Sequence, residues 1–198
     1  MQEFSIIIVT LIILLITFRY VWLLIKKKIK PALAMWIFFS IAVIMSLKTY
    51  LSEGTYSFLD NIMNSADLLL VLTVSGAIII FGDKSSKFTR FDKGCLAAVM
   101  LIVIFWIFTQ NHKTTNLMIQ GIMVIAYFPV VKRFIESSEN TEPFSVWIGM
   151  LLAPIFSLIS SKGILASIYS IRAIICVGIL LILMLRIELI NKRKRKLN

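Results

Sequence analysis

The sequence predicts an all-α integral membrane protein of seven transmembrane helices, built as two parallel three-helix repeats joined by a linker helix. Three observations lead there. First, A, V, I, L, M, F, W, Y and C make up 59% of 198 positions and charged residues only 16%, far from the balance of a soluble domain. Second, the apolar residues come in blocks that approach or exceed the roughly 20 residues needed to cross a ~30 Å hydrocarbon core. Third, the polar clusters between blocks alternate between rich and poor in Lys and Arg, as loops on opposite sides of a bilayer do.

Taken in order, the apolar runs give spans at Phe4 to Ile25, Leu33 to Leu51, Leu59 to Phe81, Gly94 to Thr109, Asn116 to Phe134, Phe144 to Ser160 and Ile164 to Ile187. Each must be helical, because a segment in hydrocarbon has to satisfy its own backbone hydrogen bonds and none shows the short alternation of a barrel strand. The first run is too long for a secretory signal core, has no basic region ahead of it and ends in FRYVWLLIKKKIKP rather than a cleavage site, so it is expected to stay in the mature protein. The whole chain forms one transmembrane domain: a first repeat over 4–81, the linker helix over 94–109, a second repeat over 116–187 and a basic tail over 188–198.

The basic loops set the orientation. One set carries Lys26, Lys27, Lys28, Lys30, Lys84, Lys87, Arg90, Lys93, Lys132, Arg133, Arg186 and the run Lys192 to Lys196; the other has only Lys48, Lys113 and Lys162. The rich set belongs in the cytoplasm, and an odd number of spans then leaves Met1 outside. The formal net charge of +11 is thereby explained by topology, and no nucleic-acid partner is expected. The tail NKRKRKLN reads as a stop-transfer anchor with attraction to anionic lipid.

Chemistry of most kinds is excluded by what the chain lacks. Cys95 and Cys176 lie at the edge of a span and deep in one, where they act as packing residues rather than a disulfide. The lone His112 is in an outer loop, no HExxH, paired-Cys or carboxylate cluster offers a metal site, and no Ser and His pair lies within the membrane for hydrolysis. The seventh span has no Lys to hold a retinal. Neither enzymatic activity, a metal nor another cofactor is expected.

Laying the fifth span over the first aligns YVWLLIKKKIKPALAMW with YFPVVKRFIESSENTEPFSVW. Tyr20 meets Tyr127, basic pairs follow, and Pro31 and Pro143 each precede a Trp. Each unit enters from the outside, so the units are parallel and the single fourth helix inverts the chain between them.

In this plan the chain resembles the SWEET and PQ-loop superfamily of seven-helix transporters. It is most similar to bacterial seven-helix proteins with a basic loop, a Pro and a Trp at the start of the second helix, and a Tyr-Phe-Pro turn in the fifth. The defining Pro-Gln pair is absent: Trp22 and Leu23 replace it in the first unit, and Pro129 is followed by Val130 in the second. The resemblance implies an outside amino terminus, a bacterial plasma membrane, helices that rock about a Pro129 kink, and a substrate contact near Asn64. The matching position in the seventh helix holds Ser170 rather than Asn.

Two charges lie far from any membrane edge, Asp67 and Arg172. A charge at such depth costs at least ~2.5 kcal/mol unless it finds a partner or water. Overlaying the third and seventh spans sets Asn61 opposite Ser167, Asn64 opposite Ser170 and Ala66 opposite Arg172. Asp67 and Arg172 are thus expected at similar depth, as a pair inside the bundle. The expected solute path is lined by Asn61, Asn64, Asp67, Ser167, Ser170 and Arg172, with Trp36 and Trp147, equivalent residues near the cytoplasmic edge, as interfacial anchors or a gate. Two function classes follow: a small-solute transporter working by alternating access, or a membrane adaptor that binds a protein through its helices or the Glu136 to Glu142 loop. Expected partners are membrane lipid and a small polar solute, with homo-oligomerisation left open.

Overall fold

The computed structural model describes residues 1–29, 31, 33–82, 90–128, 131, 134–135 and 143–197. Among them the regular structure is helical: α1 (Gln2–Ile25), α2 (Leu33–Glu53), a short 3-10 turn (Phe58–Asn61), α3 (Ile62–Phe81), α4 (Arg90–Thr109), α5 (His112–Ile125), α6 (Phe144–Ser157) and α7 (Gly163–Leu197). Four stretches are long and apolar enough to cross a membrane: Gln2–Ile25, Trp36–Glu53, Phe58–Phe81 and Gly163–Lys192. The outside of the bundle is apolar too. Leu15, Phe18, Ile80, Leu101, Phe108 and Ile182 are 66–84% exposed, a surface that suits lipid and would aggregate in water.

Helix ends follow local chemistry. α1 stops in the lysine run with Lys27 in the left-handed region (φ 55). The Lys28 and Lys27 amides bond back to Leu23 O and Leu24 O, both at 2.9 Å, which is the Schellman arrangement. α3 starts on Asn61, whose side chain accepts from the Asn64 amide, and the turn before it is closed by a Ser57 and Asp60 capping box, so orphan donors at this end are satisfied. Asn111 caps α5 in the same way through the Thr114 amide at 3.0 Å.

The basic tail continues α7, which runs through Leu197; Lys and Arg are good helix formers and need no lipid to extend a helix already begun. Regular α5 ends at Ile125 in a turn at Ala126 and Tyr127, and helix resumes beyond it at Phe128, Val131, Phe134 and Ile135 among the described residues, with the Val131 amide on Tyr127 O at 3.0 Å. Pro129 itself, Val130, and the loop from Glu136 to Glu142 lie outside the described residues.

Packing repeats itself along the chain. α3 packs against both α1 and α2, and α7 against both α5 and α6; across the centre α1 meets α6 and α2 meets α5, while α4 lies against α2 and α5. Close approach of α6 to α1 needs a small residue: a Cβ on Gly149 would come within 2.8 Å of Ile16 Cδ1. His112 is no free loop residue, since its Nδ1 accepts from Trp106 Nε1 at 2.8 Å and ties α4 to α5. Bonds from Ser5 to Ser160, Tyr50 to Lys162 and Asn116 to Thr49 gather the starts of α1, α3, α5 and α7 at one end with the ends of α2, α4 and α6. We call this the amino end, and the opposite one, with Lys26 to Lys28 and Arg186, the basic end.

Candidate functional site

The amino end is clamped shut around Lys162, in the connector between α6 and α7. Its amide donates to Asp60 O at 2.9 Å, its Nζ pairs with Asp60 Oδ1 at 2.6 Å, and its carbonyl accepts from the Tyr50 hydroxyl at 2.9 Å. Asp60 Oδ2 is held in turn by the Ser57 amide and hydroxyl at 2.7 and 2.8 Å. Tyr50 stacks on Tyr56 with ring centroids 4.7 Å apart. Next in the chain, Gly163 has φ +76, and a Cβ there would meet Tyr56 Oη at 2.6 Å. Only glycine fits that turn without strain.

Below the clamp runs a layer of buried polar side chains from α2, α3, α5 and α7. Arg172 Nε donates to Gln120 Oε1 at 2.8 Å, and Gln120 Nε2 donates to Ser46 Oγ at 2.9 Å. Ser46 Oγ donates to the Asn64 amide oxygen at 2.8 Å, with the Asn64 nitrogen directed at Val43 O at 3.3 Å. Asn116 Nδ2 adds bonds to Ser46 O (2.7 Å) and Thr49 Oγ1 (3.0 Å). Donor follows donor from the guanidinium to a backbone carbonyl, so the layer is polarised in one direction and each bond strengthens the next.

Toward the basic end the helices part around a cavity of about 100 Å³, several times the ~10–15 Å³ that one water needs. Asp67 and Arg172 both line it, and so do Tyr20, Trp36, Phe39, Tyr127 and Trp147. The two charges share the space without touching. Among the described residues no ion pair joins them; the Tyr169 hydroxyl donates to Asp67 Oδ2 at 2.8 Å, while the Arg172 guanidinium lies 4.7 Å over the Tyr169 ring. Tyr169 is therefore the bridge: hydrogen bond to the anion, ring face to the cation. Arg172 is hidden (7% exposed), whereas Asp67 keeps intermediate accessibility.

The aromatic wall is half saturated. Tyr20 packs on Trp36 with centroids 5.1 Å apart and Phe39 on Tyr127 at 6.0 Å. Trp36 is 7% exposed, and its Nε1 is buried with no hydrogen-bond partner. An unmade bond of that kind costs ~1–3 kcal/mol.

Of the residues expected to line a path, Asp67 and Arg172 line the cavity, although Tyr169 stands between them in place of a direct pair. Asn61, Asn64 and Ser170 are buried but do not reach the cavity: Asn61 caps α3, Asn64 belongs to the polar layer, and Ser170 Oγ bonds Ser157 Oγ at 2.6 Å, fastening α7 to α6. Ser167 bonds its own helix at Gly163 O (3.4 Å). Trp36 and Trp147 are cavity walls, with Trp36 too buried for a lipid-interface anchor; the Pro129 hinge falls outside the described residues. Tyr169, Gln120, Asn116 and Ser46 were missed by sequence reasoning. Their signal was there: Asn116 and Gln120 stand one turn apart in an apolar run, where polar side chains need partners. No protein-family model, curated protein or solved structure matches the chain.

Proposed function

We propose that the protein is a small-solute membrane transporter that crosses the bilayer seven times, with Met1 outside, and works by alternating access between two parallel three-helix units of SWEET-like plan. The single observation that carries this reading is the cavity at the depth of Asp67, walled from both units. A dry, packed centre would have favoured an adaptor.

The symmetry of the walls supports it further. Tyr20 and Tyr127, Trp36 and Trp147, Phe39 and Met150, Asp67 and Ala173, and Val71 and Val177 all line the cavity, and each pair is equivalent under the sequence repeat. The reciprocal packing of α1 on α6 and α2 on α5 is what a two-fold axis along the membrane normal produces. Such an arrangement offers a fixed central site and two ends that open in turn. The clamp at Lys162 makes this conformation the one closed at the amino end.

Flux is the test. The purified protein in liposomes is expected to move at least one member of a panel of labelled sugars, amines and amino acids, and Val71→Trp, which fills the cavity, should stop it. A folded protein that moves none of them returns the chain to the adaptor class. Orientation has its own check: a cysteine beside Lys113 should react with an impermeant reagent from outside and one beside Lys87 should not, and inverse labelling overturns the topology.

A further inference from the structure

We infer that the cavity takes a compact organic ammonium compound that also carries a hydrogen-bond acceptor; this rests on the transporter reading, and it names the class of solute. Four features of the walls converge on that chemistry. Five aromatic side chains, Tyr20, Trp36, Phe39, Tyr127 and Trp147, line a space of about 100 Å³, and aromatic faces attract ammonium groups most strongly where water is excluded. A carboxylate, Asp67, shares the space, on a residue of intermediate accessibility.

The opposite charge is engaged elsewhere. Arg172 gives its Nε to Gln120, lays its plane over Tyr169 and is 7% exposed, so of the two charges in the wall Asp67 is the more accessible. The fourth feature is Trp36 Nε1, a donor more than nine-tenths buried and unpartnered. Trp36 lines the cavity, and a ligand oxygen that reaches this donor would relieve the cost of an unmade bond. Much of the remaining wall is aliphatic, with Val43, Leu70, Val71, Ala126, Val146 and Val177. A polyol, which needs a partner for each hydroxyl, suits that wall poorly.

The test is binding to the whole protein in detergent, read by thermal shift and calorimetry. The probes are choline, ethanolamine, tetramethylammonium, the uncharged choline isostere 3,3-dimethylbutan-1-ol, and glucose. Choline or ethanolamine is expected to raise the Tm while the isostere and glucose do not, and Asp67→Asn should remove the shift. Trp36→Phe keeps a smaller aromatic face and loses the donor. It should weaken both choline and tetramethylammonium through the smaller face, and weaken choline about tenfold more than tetramethylammonium, which has no acceptor for the lost hydrogen bond. If Asp67→Asn fails to fold, the Trp36→Phe contrast still decides the matter. An isostere that binds as well as choline, stabilisation by glucose alone, or no response to any ammonium probe would each overturn the inference. Liposome flux separates the two readings: ammonium binding without transport keeps this ligand class and removes the transporter, whereas flux of a neutral solute does the reverse.

Discussion

The two halves of the bundle use polar residues in opposite ways. Toward the amino end, Ser46, Thr49, Asn64, Asn116 and Gln120 bond to one another, and Lys162, Asp60, Tyr50 and Ser57 close the end above them; the Thr115 hydroxyl is the exception, buried without a partner. Toward the basic end Asp67, Arg172 and Trp36 surround an open volume, and Trp36 Nε1 is left unbonded. A saturated layer resists opening because each group already has its partner. An unsaturated one holds free energy that a ligand can recover. On the proposed reading, the contrast puts the site in the basic half and makes the amino half its seal.

The largest expected effect breaks the saturated half. Gln120→Leu removes the acceptor of Arg172 and the donor to Ser46 together, and should cost about 3 kcal/mol or more, since it leaves a buried cation short of a partner. Thermal unfolding in detergent measures it. A loss below ~1 kcal/mol would mean that the layer is not what holds the helices. Next comes the clamp: Gly163→Ala forces a side chain into the left-handed region and against Tyr56, with an expected loss of about 1–2 kcal/mol. Alanine at no cost would show that the connector relaxes freely.

Smaller effects sharpen the comparison. Lys162→Met removes an ion pair whose lysine is 56% exposed, so its stability change should be only about 0.5 kcal/mol, even though the clamp loses a hold on the connector. Smallest of all is Thr115→Val, which removes a buried hydroxyl that has no partner and keeps the shape of the side chain. The unfolding temperature should stay unchanged or rise slightly. A marked drop would reveal a bond to that hydroxyl.

How much of this was legible in the sequence depended on what physical demand each feature answers. Helix positions were readable because lipid forces every backbone group inward, so apolar runs such as Phe4 to Ile25 and Leu59 to Phe81 land on α1 and α3 within a few residues. Asp67 and Arg172 stood out for the same reason, as charges in apolar surroundings. Their partners did not, because Tyr169 reads as one more aromatic, and Gln120 is 52 residues from Arg172 in the chain. Which face of α2 meets which face of α5 is a tertiary choice. Asn64, carried over by resemblance to a substrate position, went to the polar layer on account of that choice.

The most direct test of the central claim, a cavity sealed at the amino end, is cysteine labelling in native membranes. With Cys95→Ala and Cys176→Ala removing the native thiols, Val71→Cys places a reactive group on the cavity wall. The account predicts little modification by an impermeant reagent added outside, and a several-fold faster reaction when Tyr50→Phe and Lys162→Ala release the clamp. A cysteine that reacts equally fast from outside before and after release, or that no reagent reaches from either face, would contradict it.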